Sequence, residues 1–307
     1  MKNIQPMALG ICAIPFMIFP VVFSHYWITL VFTLLINVSL TGGINLLWGF
    51  GGYLNLGYMA FFGLGGYGAA ILILNGYPFL ISLLVGLFLF LPVAGLLALP
   101  LFRLQGFYFS VASLGILILL EELAGKLIFL SGGLEGLSLP LSDHNLECYW
   151  LSLALAGLSL GANGIVNNKR LGFRLKMLQE DERTAESIGI PVFSAKVQAY
   201  VLGAAIAFLA GGIYIRQSGY IGPASAFGLS VAMPVVVMAL IGGGKHWWGP
   251  LLGAVLITGL QELLWTGLDR WILSGYGIVL ILLGFFRVGF GHGEWGAWPA
   301  KKLDFSK

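Results

Sequence analysis

The chain has 307 residues, of which 58% are hydrophobic and only 9% are charged, and its formal net charge is +3. A soluble domain carries about a quarter of its residues as charges, so this composition excludes an ordinary soluble protein. Loop charges that orient membrane helices explain the small basic excess, and we therefore expect no nucleic acid partner. Two cysteines and four scattered histidines predict neither a disulfide framework nor a metal site.

Apolar runs of the length that a membrane-spanning helix needs, roughly 17 to 25 residues, recur along the whole chain. They predict an all-α polytopic membrane protein with about ten transmembrane helices (eight to ten), some of them discontinuous, in a single domain over 1–307. The N-terminal run resembles a signal peptide but lacks a cleavage site, so we interpret it as the first span. The predicted spans are 8–24, 27–49, 56–75, 79–101, 107–130, 149–166, 196–216, 229–243, 249–266 and 271–287.

The charges between these spans fall on two sides. Basic residues dominate one side, whereas the other side is mainly acidic, with Glu135, Asp143 and Glu147. The positive-inside rule makes the basic side cytoplasmic, and an even number of spans then places both termini in the cytoplasm. The basic side receives Lys2, Arg103, the loop 167–195, Lys245, Arg287, Lys301 and Lys302.

Two glycine-rich stretches, 41–58 and 218–228, predict discontinuous helices. The first also contains Asn45, Asn55 and Tyr58, whose polar groups need partners. Non-helical backbone at membrane depth survives only where protein or a water-filled cavity satisfies it, and such breaks often flank the substrate route of a transporter. Both stretches are therefore predicted to lie near a translocation path.

Asn37, Thr41 and Asn45 recur every four residues and so share one face of a helix. Two interpretations remain open: hydrogen bonding between helices, or the lining of a polar path. The predicted path comprises Asn37, Thr41, Asn45, Asn55, Tyr58 and Glu121.

Glu121 and Glu122 lie deep in the fifth predicted span, and Lys126 follows Glu122 by four residues. That spacing allows Glu122 and Lys126 to pair, which leaves Glu121 as the unpaired charge. An intramembrane carboxylate usually faces a cavity or a partner. An ion-coupled secondary transporter with Glu121 as its proton or cation site is therefore one alternative function.

Small residues at every fourth position, Ala199, Gly203, Ala207 and Gly211, predict close helix packing rather than chemistry. The glycine run 63–68 matches a dinucleotide-binding pattern but lies inside an apolar span without a preceding strand. Residues 242–245 resemble a phosphate loop but lack its first glycine and its Ser/Thr. No nucleophile–base arrangement can be assembled, so we predict a non-enzymatic protein with no catalytic residues.

Ten of the charged residues fall within 167–196, between two apolar halves. We predict that 167–195 is a cytoplasmic loop with a short helix over 176–188. Glu180 and Arg183 can pair at i,i+3 in that helix, Gly189 suits a C-terminal cap, and Pro191 prevents its continuation.

Five segments, spread in order over most of the chain, together resemble permease subunits of ABC importers for branched-chain and neutral amino acids. Each segment alone is a weak signal, and the ordered set carries the resemblance. The segments are 49–67 (GFGGYLNLGYMAFFGLGGY), 103–114 (RLQGFYFSVASL), 131–137 (SGGLEGL), 180–189 (EDERTAESIG) and 242–254 (GGGKHWWGPLLGA).

The resemblance implies the permease fold of these importers, in a bacterial-type inner membrane. It also implies a second, non-identical permease subunit, two ATP-binding subunits, and an extracytoplasmic binding protein that delivers the substrate. ATP and Mg²⁺ would bind the partner ATPases, with no cofactor in this chain. Importers of urea or short amides share the fold, so the substrate stays open. The implied residues of the coupling helix, which docks on the ATPase, are Glu180, Glu182, Arg183, Ala185, Glu186 and Gly189.

Overall fold

Apolar helices make up nearly all of the computed structural model, which describes residues 24–140, 144–244 and 246–264. The first part of the chain forms four long helices and a short connection. The elements are α1 His25–Gly51, α2 Met59–Leu74, α3 Phe79–Leu101, α4 Phe107–Lys126, α5 Ile128–Ser131, a 3-10 turn at Gly133–Glu135, and β1 Leu137–Ser138.

The second part of the chain begins with a long helix that leads into the charged loop. Two short helices lie in that loop, and apolar helices follow it. The elements are α6 Asn145–Asn168, α7 Arg170–Glu180, α8 Glu182–Ser187, α9 Val192–Ser218, β2 Tyr220–Ile221, α10 Pro223–Phe227, α11 Leu229–Gly242 and α12 Gly249–Leu264.

Eight of the ten predicted spans correspond to helices of the described residues: α1, α2, α3, α4, α6, α9, α11 and α12. The predicted spans 8–24 and 271–287 lie outside the described residues. Six segments of the described residues are long and apolar enough to cross a membrane. They are α1, α3, α4, α6, α9 and the consecutive pair over Pro223–Gly242. The prediction of an all-α polytopic membrane protein is confirmed.

Helices α1 and α9 form the centre of the bundle and are mostly buried, whereas α3 and α4 expose most of their apolar residues. The ladder of small residues on α9 lies at the central contacts. A Cβ atom at Gly203 would lie 2.6 Å from the carbonyl oxygen of Gly43 on α1, and one at Gly211 would lie 1.9 Å from that of Phe62 on α2. Glycine is required here because it lets the helix backbones touch.

The predicted break over 41–58 is corrected by the structure. Helix α1 continues to Gly51, and only residues 52–58 are non-helical. The glycines within α1 serve contact rather than interruption, since a Cβ atom at Gly42 would lie 2.2 Å from Ser159 Oγ, and one at Gly43 1.8 Å from the Tyr58 hydroxyl. The break predicted over 218–228 is present, as β2 and the five-residue α10.

Loops that the charge pattern assigns to one side meet in the structure. At the acidic end, β1 pairs with β2 in an antiparallel ladder, with Leu137 opposite Ile221. Arg216 lies 3.9 Å from Glu147 at the same end. At the opposite end, the break at 52–58 and the charged loop lie side by side. The bundle therefore has two distinct ends joined by the spans.

Candidate coupling helix and substrate path

The charged loop folds as two helices rather than as the single helix predicted over 176–188. Helix α7 buries Leu175 and Leu178, and Leu175 reaches the end of α1 near Gly51. At Asp181 the backbone becomes extended (φ −157°, ψ 117°), and the six-residue α8 begins at the next residue. The predicted helix is wrong in this respect because Asp181 caps a new helix instead of continuing the old one.

The Asp181 carboxylate is the N-cap of α8. It accepts a hydrogen bond from the backbone N–H of Arg183 at 2.8 Å, and another from the Thr184 hydroxyl at 3.1 Å. The bond from the Arg183 N–H, followed by that from the Thr184 hydroxyl, lowers the pKa of Asp181. The cap therefore holds the carboxylate ionised and satisfies backbone donors that a helix start leaves free.

Gly189 ends α8 in a left-handed conformation with φ +82°. Its N–H donates to Glu186 O at 2.9 Å, and the Ile190 N–H donates to Ala185 O at 3.1 Å. This pair of bonds is the Schellman motif, and Pro191 follows it. The prediction that Gly189 caps the helix is confirmed, and α8 is a separate unit with a defined start and end.

The predicted coupling residues take different positions on and around α8. Glu180, Arg183, Glu186 and Gly189 are exposed, whereas Ala185 is buried. Glu180 and Arg183 make no salt bridge with each other, so the predicted i,i+3 pair is absent. The Glu182 side chain turns toward the membrane helices.

Glu182 meets Lys196 of α9 and Tyr53 of the 52–58 break. One carboxylate oxygen pairs with Lys196 Nζ, and the other accepts a hydrogen bond from the Tyr53 hydroxyl. Lys196 Nζ also donates to the Tyr53 hydroxyl at 2.8 Å. Lys196 is only 1% exposed, so this polar cluster closes on itself at the end of the bundle. We call these three residues the Glu182–Lys196–Tyr53 cluster.

Aromatic rings surround the charged end of Lys196. The ammonium lies 4.3 Å from the centre of the Tyr53 ring and 5.9 Å from that of Phe102. Phe102 stacks on Phe109 with centroids 5.3 Å apart and meets Tyr200 edge to face. Such rings stabilise a cation through their quadrupoles but exclude water, so Glu182 supplies the compensating negative charge.

The stripe on α1 makes hydrogen bonds between helices. Asn37 Nδ2 donates to Thr258 Oγ1 on α12 at 3.0 Å, and Asn45 Nδ2 donates to Asn163 Oδ1 on α6 at 2.9 Å. Asn163 in turn donates to Gly42 O, while the Thr41 hydroxyl donates to Asn37 O. These contacts support the interpretation that the stripe joins helices, although Asn45 Oδ1 has no hydrogen-bond partner among the described residues.

Asn55 and Tyr58 line a small cavity beside the break. The Tyr58 hydroxyl donates to Gly203 O at 3.0 Å, and the buried Asn55 Oδ1 has no hydrogen-bond partner in the described chain. A buried amide oxygen without a partner is costly and can accept from a passing polar group. The cavity is lined by Gly43, Ile44, Leu47, Asn55, Tyr58, Tyr200 and Gly203.

Glu121 lies apart from this cavity. It is half-buried on α4, and the adjacent Glu122 forms the predicted i,i+4 pair with Lys126 at 3.6 Å. Within the described ranges, no three His, Cys, Asp or Glu side chains come together as metal ligands. The structure thus brings Asn55 and Tyr58 together and places Glu121 elsewhere.

Sequence reasoning missed Lys196 and Asn163 as parts of these sites, and it did not connect Tyr53 with Glu182. Lys196 is the last charged residue of the charged stretch and looks like one more loop charge, although it lies near the start of an apolar helix. That position is a usable signal, because a lysine within a span either reaches the interface or pairs with another group. One partner, Tyr53, lies 143 residues away in sequence, whereas Glu182 lies only 14 residues away.

Comparisons with known proteins found similar sequences. A family model described as "Branched-chain amino acid transport system / permease component" matches residues 24–284. The LivM permease protein of the high-affinity branched-chain amino acid transport system of Escherichia coli (strain K12) is 26% identical, and its Salmonella typhimurium counterpart is 27% identical. Each alignment covers 82% of this chain and 67% of the relative. No solved structure matches.

The apolar helices define a multi-pass membrane protein. The chain belongs to the permease family of branched-chain amino acid ABC transport systems. The prediction of a transport subunit rather than an enzyme is confirmed, since both relatives are named as transport permeases.

Proposed function

We propose that this chain is one permease subunit of an ATP-driven importer for branched-chain or other neutral amino acids. An extracytoplasmic binding protein delivers the substrate, a second permease subunit completes the path, and two partner ATPases bind ATP and Mg²⁺. The chain lies in a bacterial-type inner membrane with both termini in the cytoplasm. The family membership and the names of the relatives support this assignment.

The observation that carries the proposal is the geometry of α8. An independent, doubly capped helix projects from an otherwise apolar bundle, and its outward side presents Arg183, Glu186 and Ile188. Ile188 is 63% exposed. Exposed charges beside this residue suit the polar rim of a protein contact, and we assign the ATPase groove as the partner of this surface.

The proposed path runs past Asn55 and Tyr58. Closure of the ATPase pair on ATP binding displaces α8, and the break at 52–58 changes its packing. The path is thereby switched between outward and inward access. Asn37, Thr41 and Asn45 stiffen the neighbouring helices in this scheme. Delivery by the binding protein, rather than a tight internal site, sets much of the selectivity.

The test is a mild-detergent pull-down of the full chain, followed by mass spectrometry and uptake in proteoliposomes. Arg183→Glu/Glu186→Lys reverses two exposed charges on α8, and we expect it to lose the ATPase subunits. The matched control, Glu122→Lys/Lys126→Glu, exchanges an exposed pair on α4 and retains them. Uptake of leucine without any ATPase would refute the proposal.

Competition defines the substrate. We expect excess isoleucine or valine to suppress leucine uptake and excess urea or acetamide to leave it unchanged. The opposite pattern would favour the urea and short-amide importers that share the fold. ATP-independent uptake abolished by Glu121→Gln would favour the ion-coupled alternative.

A further inference from the structure

The Glu182–Lys196–Tyr53 cluster joins two consecutive elements to a third that is far from them in sequence, since Tyr53 lies 143 residues from Lys196. Glu182 belongs to the loop helix α8, Lys196 to the start of α9, and Tyr53 to the break between α1 and α2. Both carboxylate oxygens of Glu182 are used, one by Lys196 and one by Tyr53. Each member therefore contacts the other two.

We propose that this cluster is the link that transmits displacement of α8 to the substrate path. The inference rests on the proposed function and extends it, because it assigns Glu182 to internal transmission rather than to the ATPase contact. Lys196 and Tyr53 then act as positioning residues for transport, although neither touches the substrate or the ATPase.

Burial makes the link stiff. Lys196 is 1% exposed, and the Glu182 side chain is 21% exposed. The aromatic rings around the ammonium exclude water, so separating Lys196 from Glu182 would leave a buried charge without a partner, which is strongly unfavourable. A force on α8 is therefore more easily relieved by moving Lys196 and Tyr53 with it than by breaking the pair.

Tyr53 on the break and Lys196 on α9 both lie close in sequence to residues that line the same cavity. Along the break, Tyr53 is two residues before Asn55 and five before Tyr58. Along α9, Tyr200 and Gly203 follow Lys196 by four and seven residues, which places all three on one helix face. Asn55, Tyr58, Tyr200 and Gly203 all line the cavity. Movement of the cluster thus shifts two parts of the cavity wall together, one on the break and one on α9.

The experiment compares transport with ATP hydrolysis in the complete complex reconstituted in proteoliposomes. Lys196→Met keeps the length of the side chain and removes its charge. We expect assembly and ATP hydrolysis to continue while uptake per ATP hydrolysed falls about tenfold, a size usual for coupling between sites. Tyr53→Phe keeps the ring and is expected to lower the same ratio about fivefold, at the weak end of that range.

The matched control is Lys176→Met. Lys176 is an exposed lysine of α7 whose ammonium donates to Asn167 Oδ1 at 2.7 Å, outside the cluster. We expect it to keep the wild-type ratio. A Lys196→Met complex whose ratio stays within about twofold of that control, below the usual range of coupling, would overturn the link.

A structural readout covers the case in which Lys196→Met fails to assemble. Asn55→Cys, in a Cys12→Ser/Cys148→Ser background, is labelled with a maleimide with and without ATP. We expect ATP to change the labelling rate in the background complex and to change it less with Tyr53→Phe added. A preserved ATP response would overturn the link. Failure of the proposed function is distinguishable, since the wild-type complex itself would then lack ATPases or ATP-driven uptake.

Discussion

Gly211→Ala tests whether the backbone contact between α9 and α2 stabilises the bundle. The new Cβ atom would lie 1.9 Å from the carbonyl oxygen of Phe62 and 3.0 Å from the backbone nitrogen of Gly66. Both neighbours are backbone atoms, so no side-chain rotation can relieve the contact and the two helices must separate. Overpacking of a core costs about 1–3 kcal/mol, and a backbone clash belongs at the top of that range.

Gly161→Ala on α6 is the matched control. A Cβ atom there meets no atom within 4 Å, and both glycines lie in the interior of a long helix. Each substitution gains about 1 kcal/mol of helix propensity, which cancels in the comparison. The difference between the two variants therefore isolates the packing cost, about 3 kcal/mol in the free energy of unfolding.

Thermal unfolding in detergent, followed by tryptophan fluorescence at a fixed scan rate, measures this difference. A change of 1 kcal/mol shifts Tm by about 2–4 °C for a large domain, so we expect Gly211→Ala to unfold about 6–12 °C below Gly161→Ala. If Gly211→Ala were as stable as Gly161→Ala or more stable, α9 and α2 would not be in backbone contact.

Three further predictions follow from the site. Asp181→Ala should speed hydrogen exchange of the Arg183 amide, measured by mass spectrometry, while Asp181→Asn preserves its protection. Because the pKa of Asp181 is lowered, the cap should hold throughout pH 5–8. It should be lost only in acid, as the pH falls through that lowered value. Asn45→Ala and Asn163→Ala should be non-additive in Tm, and a double-mutant cycle should give a coupling of about 0.6–1.7 kcal/mol; additivity would show that the amides do not interact. Glu121→Gln should leave ATP-driven uptake unchanged, and its loss would count against the proposed path.

The sequence predicted the spans well because lipid imposes a simple rule on length and polarity. Helix α3 was expected over 79–101 and has those bounds. The breaks were harder, because glycine has two uses that look alike in a sequence. In 218–228 the glycines accompany a real interruption. In α1, Gly42 and Gly43 instead admit side chains from other parts of the chain, Ser159 and Tyr58.

The charged loop was hard to predict for a different reason. Every residue over 176–188 tolerates a helix, so local propensity favours one continuous helix. The competing hydrogen bonds of the Asp181 side chain to the following turn decide otherwise. The roles of Glu182 and Lys196 depend on Tyr53, which no local pattern connects to them. The end of α8 at Gly189 could thus be predicted from the local sequence. The inward position of Glu182 could not, because it depends on how the chain folds.

The hydrogen bond between Asn45 and Asn163 has a consequence for biogenesis. Asn163 is synthesised 118 residues after Asn45, which at about 5–20 residues per second takes on the order of 6–24 s. During that interval α1 has left the ribosome with an amide that hydrocarbon cannot satisfy. The early spans must therefore be sheltered by the insertion machinery or by one another until α6 arrives.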